Sequence, residues 1–419
     1  MGRGRRREIG VAVIGAGLRG VWNLAGLLAQ DFEELRLEVV ALCEVFAPRA
    51  AEARSFLEEQ YRRSGHSPAI TVYSDLDACL ADPRVELVMV TTHSDQHREP
   101  AERALAAGKR VYLDKPLAHN LEDCNAILAA ERQHGSPILL GFTRRYEAAW
   151  RKARELVEEG VIGEVQMLLL RAVIPYHVYF HGWHRERRFS GDALNDKSSH
   201  HVDAMGWFVG ADPVRVSGFG GRRVYLADTD APKCCRDCDR ACPYRTGPQH
   251  KGRQAQDRLP PDKELSWLGG DDIRTGRDVC VFRPGADILD HAVVNLQFEN
   301  GVVAQLFYSI FGFDSQDQET FEIVGEKGRI RLIRHSGELD IVSEYGEKSE
   351  VIDARDANHE SMHFGADLRL LEELRRFGNG APPVVGCRAG HIASATVFAA
   401  LESIEVGGAP VEVARPSPG

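Results

Sequence analysis

The fold of this chain is decided by the stretch Ile9-Gly-Val-Ala-Val-Ile-Gly15-Ala-Gly17-Leu-Arg-Gly20. Its first six residues are mostly β-branched and apolar, which predicts a buried strand. Apolar side chains then recur at helical spacing from Leu18 to Gln30. The stretch therefore forms a strand, a glycine-rich turn and a helix in succession, which is the context in which a G-x-G-x-x-G motif is informative.

The three glycines of this turn suit the binding of a dinucleotide. Gly15 permits the tight turn, Gly17 lets a pyrophosphate approach the backbone, and Gly20 allows the helix to pack closely on the strand. The helix N-terminus adds free N–H groups and a partial positive charge. A strand–helix turn without a ligand is the alternative interpretation. We expect the cofactor phosphates to contact Gly15, Gly17, Leu18, Arg19 and Gly20.

Strand and helix patterns alternate as far as residue 141, which predicts a doubly wound parallel sheet over residues 1–141. After residue 141, long strand-like runs predominate and helices are few. The dipeptide Asn300-Gly301 is a strong hairpin signal. We predict a second, α+β domain over 142–419 with a large, mainly antiparallel open sheet, interrupted by a cysteine-rich loop at about 226–278.

Composition limits the partners of the chain. Its 419 residues suggest two to three domains, and 43% hydrophobic with 27% charged residues is typical of a globular protein. The net charge is −10, and only the N-terminal arm is basic, so we expect no nucleic-acid partner. No run of 18 apolar residues occurs, so we expect no membrane partner either. A small molecule is the expected ligand.

The nine cysteines are an odd count, and four of them fall between residues 234 and 242. This is not the even spacing of a disulfide framework, so we predict a reducing, cytoplasmic location. Arg5, Arg6 and Arg7 before an apolar run resemble a twin-arginine export signal. The run is short and lacks a small-residue cleavage site, so a basic arm before the first strand is the preferred interpretation.

Glu44 ends the second predicted strand, 24 residues after Gly20. An acidic side chain there can accept hydrogen bonds from ribose hydroxyls, and it repels a 2′-phosphate. This position favours NAD over NADP. An ordinary solvated glutamate is the alternative, and the nearby Arg49 weakens the preference.

Five motifs now appear in order along the chain. They are the glycine turn, Thr92-His-Ser-Asp-Gln-His97, Asp114-Lys115-Pro116, Gly141-Phe-Thr-Arg-Arg145 and Gly191-Asp-Ala-Leu-Asn-Asp196-Lys-Ser-Ser-His200-His-Val-Asp203. In this series the chain resembles the glucose-fructose oxidoreductase / inositol dehydrogenase / rhizopine-catabolism (Gfo/Idh/MocA) family over nearly its whole length. The resemblance implies a Rossmann domain, a sheet domain for substrate and for assembly into homodimers or homotetramers, and NAD(P)-dependent redox chemistry on a sugar or polyol.

The resemblance assigns Asp114-Lys115-Pro116 to the family's E-K-P motif, with an acid one carbon shorter. A lysine just after a strand can hydrogen-bond the reacting oxygen and stabilise developing alkoxide charge. We therefore predict that Lys115 contacts substrate and cofactor and is catalytic, with Asp114 beside the cofactor. A surface lysine is the alternative interpretation.

The family's D-x-x-x-H pair falls on Asp196 and His200, which would share one face of a helix. We assign His200 as general acid/base and Asp196 as the residue that orients it or binds a hydroxyl. A capping aspartate and a packed histidine are the alternative. Lys197, where the family more often has a small or apolar residue, is expected to pair with Asp196 or Asp203 or to contact substrate, and His201 is expected to be structural.

Further residues follow from the resemblance and from composition. Aromatic faces suit sugar rings, and the stretch Pro175–Arg185 is rich in aromatic and histidine side chains, although a packing loop is an equal alternative. The predicted cofactor contacts include Thr91, Thr92 and His97; the predicted substrate contacts include Arg144, Tyr176, Trp183, Lys197 and His363.

The cysteine cluster Cys234-Cys235-Arg-Asp-Cys238-Asp-Arg-Ala-Cys242 has thiol spacing that suits tetrahedral zinc. We predict a structural zinc held by Cys235, Cys238 and Cys242, with Cys280 as the fourth ligand implied by a subgroup of the resembled family. The spacing matches no ferredoxin iron–sulfur run. Free thiols or one disulfide are the alternatives.

The leading functional hypothesis is an NAD-dependent oxidoreductase acting on a sugar, a cyclitol or a sugar-derived hydroxyl. An enzymatic alternative is a glycosidase that uses bound NAD for transient oxidation and elimination. A third possibility is a non-catalytic dinucleotide-binding sensor, which would not need Lys115, Asp196 and His200 together.

Overall fold

The computed structural model describes residues 7–245, 274 and 278–416. These residues form two compact units. The first comprises the described residues up to Thr143 together with Asp367–His391, and the second comprises those of Arg144–Ala366 together with Ile392–Pro416. The chain thus returns to the first unit late in its sequence, whereas the sequence-based prediction placed all residues after 141 in the second domain. Residues 246–273 and 275–277 of the predicted cysteine-rich loop lie outside the described residues.

The strands of the described residues are numbered in chain order. They are β1 Ile9–Ile14, β2 Leu37–Cys43, β3 Thr71–Tyr73, β4 Leu87–Val90, β5 Arg110–Leu113, β6 Ile138–Leu140, β7 Val165–Val173, β8 Pro213–Gly221, β9 His291–Phe298, β10 Val303–Ser309, β11 Glu319–Gly325, β12 Arg329–Ile333, β13 Glu338–Ser343, β14 Lys348–Asp353 and β15 Val411–Glu412.

The α-helices of the same residues are α1 Gly26–Gln30, α2 Phe32–Leu35, α3 Ala47–Arg63, α4 Leu76–Leu80, α5 Arg98–Ala106, α6 Leu121–His134, α7 Ala148–Glu158, α8 Arg187–Ser190, α9 Ala193–Val209, α10 Ala366–Gly378 and α11 Cys387–Glu405. A π-helical segment, Leu18–Ala25, precedes α1 and takes the place of the α-helical start predicted there.

In the first unit, the described residues form a six-stranded sheet of order β3-β2-β1-β4-β5-β6. Every neighbouring pair in this sheet is parallel. All four residues of β4 are buried, as expected for a parallel sheet covered by helices on both faces. This confirms the predicted doubly wound α/β fold, and it brings the carboxyl ends of the strands to one edge.

The late segment belongs to the first unit through several contacts. Gly378 of α10 lies against Ile9 of β1, and the N–H of Leu140 donates to Val385 O at 2.9 Å. The ring of Phe377 lies under the guanidinium of Arg110, 5.3 Å from the ring centroid. The apolar side of α10 therefore completes the core of this unit.

In the second unit, the described residues form a nine-stranded sheet of order β14-β13-β12-β11-β7-β10-β9-β8-β15. Neighbouring strands are antiparallel except β7 and β10, which are parallel. Buried residues alternate with half-buried or exposed ones along β9, as in a sheet with one covered face. Helix α9 packs on β7 and β10. The predicted large, mainly antiparallel sheet is thus confirmed.

No helix among the residues that the structure describes combines the length and the apolar character needed to cross a membrane.

Candidate active site

The glycine turn follows β1 at the centre of the parallel sheet. Gly15 has a φ of +87°, a conformation that favours glycine. A Cβ on Gly20 would collide with the hydroxyl of Thr91, so this glycine is needed for close packing. Gly17 has a φ of −79°, and among the described residues no atom lies within 4 Å of the position its Cβ would take. The space over Gly17 is therefore open to a ligand.

Two threonines follow β4, and the first of them supports this turn. The hydroxyl of Thr91 donates to Gly15 O at 2.9 Å, and that of Thr92 donates to Gln96 O at 3.0 Å. Leu18, the first residue of the π-helical segment, is half-buried. Thr91 thus holds the turn through the carbonyl of Gly15. The predicted contacts of both threonines with the cofactor stay predictions.

Glu44 follows β2 and is buried rather than solvated. Its carboxylate accepts hydrogen bonds from Ala16 N at 3.0 Å and Phe46 N at 2.8 Å. Arg49 donates to both oxygens, at 2.9 Å each. A carboxylate has about four lone-pair positions, and four N–H groups already donate to this one. A ribose hydroxyl must therefore share a lone-pair position with one of these donors or replace it. The contact with Ala16 places Glu44 beside the glycine turn, where the ribose interpretation requires it.

Asp114 follows β5 and is held by two side chains of the same unit. Its Oδ1 accepts from the hydroxyl of Tyr112 at 3.0 Å, and its Oδ2 lies 3.3 Å from Nε of Arg19. Nη1 of Arg19 donates in turn to Oδ1 of Asp367 at 2.8 Å. Burial and the neighbouring Asp114 raise the pKa of Tyr112 well above its usual range, so the phenol stays protonated and donates. The two residues predicted at the cofactor, Arg19 and Asp114, are thus bonded to each other.

His97 is buried at the start of α5, and its ring joins two loops. Nδ1 lies 2.9 Å from Pro116 O, and Nε2 lies 3.2 Å from Thr92 O. Burial lowers the pKa of His97, so the ring is neutral and donates from one nitrogen. The structure therefore gives His97 a bracing role between backbone carbonyls, and Lys115 lies half-buried between Asp114 and Pro116.

In the second unit, Asp196 and His200 lie on α9, as predicted, and both are buried. The hydroxyl of Tyr179 donates to Oδ2 of Asp196 at 2.5 Å. Nε2 of His184 lies 3.9 Å from the same oxygen, and its ring stacks on that of Tyr179 with centroids 4.5 Å apart. Neither Tyr179 nor His184 is among the predicted site residues, although the aromatic density of Pro175–Arg185 was the signal for both.

Lys197 and two predicted aromatic residues complete this region. Nζ of Lys197 lies 3.3 Å from the hydroxyl of Tyr176 and 4.3 Å from its ring centroid. The ring of Trp183 stacks on His184 at a centroid distance of 3.8 Å. Lys197 is thus directed to Tyr176. Asp203, one of the two aspartates expected to pair with Lys197, instead accepts two hydrogen bonds from Arg145, at 2.8 and 2.9 Å.

Arg144, which we predicted to bind substrate, is only 1% exposed and lies in a buried ion-pair network. It donates to Glu319 at 2.9 Å and to Glu147 at 2.8 Å. Arg334 contacts the same two glutamates, at 2.7 Å for Glu147 and 3.2 Å for Glu319. Burial alone would raise the pKa of Glu319, but these arginines hold that pKa well below its usual range. Arg144 is thus bonded within this buried network, and its predicted contact with substrate stays a prediction.

His201 and His363 also have defined places. His201 is fully buried, with Nε2 3.5 Å from Glu319, in agreement with the structural role expected for it. His363 is half-buried in the second unit and has a φ of +49°. Asp367, four residues further along the chain, belongs to the first unit and pairs with Arg19. His363 keeps its predicted substrate role as a proposal only.

The predicted zinc ligands lie on two antiparallel segments, since Cys234 pairs with Val279. Cys235 and Cys280 are buried, whereas Cys238 and Cys242 are partly exposed, and within the described residues none of the four forms a disulfide. Among the described residues, no three Cys, His, Asp or Glu side chains are placed to hold a metal ion. The zinc prediction is therefore not supported, and no part of the function is derived from zinc.

Functional side chains of the first unit follow the carboxyl ends of their strands. In sheets of this order, ligands bind outside those ends, at the point where the strand order reverses. Here that point lies between β1 and β4, which are followed by Gly15 and Thr91. The sheet order, the open glycine turn and the buried acid of Glu44 together define a dinucleotide-binding domain joined to a second α/β unit.

Comparison with protein families assigns both units. Residues 9–142 match the oxidoreductase family's NAD-binding Rossmann fold, and residues 154–413 match its C-terminal alpha/beta domain. The chain belongs to the Gfo/Idh/MocA oxidoreductase family, and it is an NAD(P)-dependent dehydrogenase by that membership.

Individual relatives agree with this assignment. The chain is 25% identical to a putative oxidoreductase, YteT, of Bacillus subtilis over 84% of this chain and 82% of that protein. It is 28% identical to an inositol 2-dehydrogenase of Salmonella typhimurium over 46% of this chain and 53% of that enzyme. The match to the inositol dehydrogenase thus spans about half of that enzyme's length.

Solved structures share the fold over almost the whole chain. An oxidoreductase domain protein from Kribbella flavida has a TM-score of 0.74 at 20% identity, over 98% of this chain and all of that one. A levoglucosan dehydrogenase in complex with NADH and levoglucosan has a TM-score of 0.72 at 19% identity, over 98% of this chain and all of that one. At these identities the likeness concerns the fold.

Proposed function

We propose that the protein transfers hydride between NAD and a hydroxyl-bearing carbon of a sugar, a cyclitol or a sugar-derived metabolite. The single observation that carries this proposal is the open space over Gly17 at the sheet's switch point, in a domain of the NAD-binding family. The names of the relatives, inositol 2-dehydrogenase and levoglucosan dehydrogenase, support a polyhydroxylated substrate.

The proposed residue roles follow from the groups that each side chain offers. The nicotinamide supplies the hydride chemistry when it is bound. Lys115 donates a hydrogen bond to the reacting oxygen, and His200 accepts or returns its proton. Asp196, already bonded to Tyr179, orients a substrate hydroxyl. Tyr176, Trp183 and Lys197 offer aromatic faces and donors for the remainder of the ring.

We propose NAD rather than NADP as the working cofactor. The Glu44 carboxylate lies next to the glycine turn, and its negative charge repels a 2′-phosphate. The bidentate bond from Arg49 partly neutralises that charge. The preference for NAD is therefore expected to be moderate, and it depends on both side chains.

We also propose that the chain forms a homodimer or homotetramer through the open face of its nine-stranded sheet. Met167 and Leu169 on β7 are exposed, as are Val303 and Phe307 on the neighbouring β10. Apolar patches of this kind mark protein interfaces. Phe307→Lys is expected to yield a smaller species in light scattering coupled to size exclusion, and an unchanged mass would contradict this interface. Cytoplasmic location remains our proposal from the cysteine pattern.

The function is tested by a screen of sugars, inositols and uronic acids for NADH absorbance at neutral and alkaline pH. Turnover of at least one polyol with NAD is the expected result. Product release without net NADH would favour the glycosidase alternative. NADH binding without turnover of any compound in the screen would favour the sensor.

A further inference from the structure

Lys115 lies between two residues that are both anchored within the first unit. On its N-terminal side, Asp114 accepts from Tyr112 and pairs with Arg19. On its C-terminal side, the carbonyl of Pro116 faces Nδ1 of His97 at 2.9 Å. The backbone on both sides of the lysine is thus held by side chains from other parts of the unit.

The anchor on the N-terminal side is tightly packed. A Cβ on Gly141 would lie 2.7 Å from Oδ1 of Asp114 and would collide with the hydroxyl of Tyr112. The absence of a side chain at residue 141 therefore makes room for the bond between Tyr112 and Asp114. This leaves Oδ2 of Asp114 to pair with Arg19, 3.3 Å away.

Arg19 is itself fixed by a second carboxylate. Asp367 is 1% exposed, and its Oδ1 accepts from Nη1 of Arg19 at 2.8 Å. Burial by itself lowers the pKa of Arg19, but the nearby carboxylates of Asp367 and Asp114 hold that pKa above its ordinary value. The guanidinium is therefore a permanent charge that joins two carboxylates from distant parts of the chain.

Arg19 is also a residue of the glycine turn, between Gly17 and Gly20. One side chain thus connects the turn that takes the dinucleotide to the residue that precedes Lys115. We propose that Arg19 is a positioning residue, which acts through Asp114 to fix Lys115 relative to the dinucleotide. This inference rests on the proposed function of Lys115. The competing role for Arg19 is a direct contact with phosphate through Nη2, which has no hydrogen-bond partner among the described residues.

The first test needs no turnover. The nucleotide-free protein is treated with an amine reagent, and peptide mapping gives the rate at which Lys115 is labelled. This rate is expressed relative to the labelling rates of Lys109 and Lys152. Arg19→Gln and Asp367→Asn are each expected to change the relative rate for Lys115 by at least about threefold, because its anchor is loosened. Arg54→Gln removes an exposed ion pair with Glu58 on α3 and is the matched control, expected to leave the rate unchanged.

The second test separates positioning from phosphate binding. A misplaced catalytic group costs about a hundredfold in rate, so Arg19→Gln is expected to lower kcat strongly while the NADH Kd stays within about threefold. Arg19→Lys, which keeps the charge, is expected to restore part of kcat. A large rise in the NADH Kd with unchanged Lys115 labelling would identify a phosphate contact and overturn the proposal.

The two proposals fail differently. If no substrate is turned over, the dehydrogenase proposal fails, whereas the labelling rates still decide whether Arg19 positions Lys115. If Arg19→Gln does not fold, Asp367→Asn removes one charge with almost no change in shape and decides the question alone. Labelling at the wild-type rate in the folded variants overturns the inference.

Discussion

The variant Gly17→Ala separates binding from folding at the glycine turn. Gly17 has a φ that alanine adopts without strain, and its Cβ would meet no described atom within 4 Å. Such a substitution is expected to stabilise the fold by about 0.4–1 kcal/mol, since the unfolded chain loses freedom. The added methyl group, however, fills the space that a pyrophosphate needs in order to reach the backbone N–H groups.

The loss in affinity can be worked from the contacts at stake. A hydrogen bond to a charged group contributes about 1.5–3 kcal/mol. Loss of one such bond to a phosphate oxygen weakens NADH binding by about ten- to a hundredfold, at 1.4 kcal/mol per factor of ten. The assay is a titration of NADH fluorescence beside a thermal melt of the same sample.

Gly108→Ala is the matched control. Gly108 also has open space around its Cβ position, but its φ is +69°, where alanine is strained by about 1–2 kcal/mol. It precedes β5 and therefore lies at the sheet edge away from the strand carboxyl ends. We expect this variant to melt earlier and bind NADH normally, the reverse of Gly17→Ala. Unchanged NADH affinity in Gly17→Ala would refute the placement of the diphosphate over this turn.

Three further outcomes are expected. Lys115→Ala should lower kcat by at least about a hundredfold, the scale for losing a donor to a developing oxyanion; near-wild-type turnover would remove it from the mechanism. Glu44→Ala should relax discrimination against NADP, because the carboxylate is lost and Arg49 is released, and kcat/KM for both cofactors measures this; an unchanged ratio would count against the ribose role. Burial lowers the pKa of His201 from 6.5 to about 4, so the unfolded chain takes up a proton first as the pH falls through this range. Because of His201, the free energy of unfolding should therefore fall by up to about 3 kcal/mol as the pH drops from about 6.5 to 4. Denaturant titration of the wild-type protein and of His201→Asn measures this effect; equal pH dependence of the two proteins would contradict it.

Local patterns predicted much of the first unit. The apolar run Leu37–Cys43 forms β2 and the amphipathic repeat Ala47–Arg63 forms α3, because each pattern is encoded by residues that lie close together in the sequence. The edge strand β14 was not predicted, since its residues are mostly exposed and carry no apolar alternation. Its existence depends on pairing with β13, a tertiary contact that one sequence does not display.

The same distinction holds for the site. The glycine turn and the Asp196–His200 helix could be predicted because each motif is short and contiguous. The partners of Arg144 and Arg19 could not, since Glu319 and Asp367 lie 175 and 348 residues further along the chain. A basic side chain next to a motif looks the same whether it faces a ligand or a buried carboxylate, and only the fold distinguishes the two cases.

The return of Asp367–His391 to the first unit has a consequence for synthesis on the ribosome. The dinucleotide-binding core lacks α10 until translation is nearly complete, so an emerging N-terminal half would expose the surface that Leu371 and Phe377 later cover. We expect chaperones to bind the nascent chain during that interval. Chimaeras made by exchanging only residues 1–143 between relatives would likewise pair one parent's sheet with the other parent's closing helix.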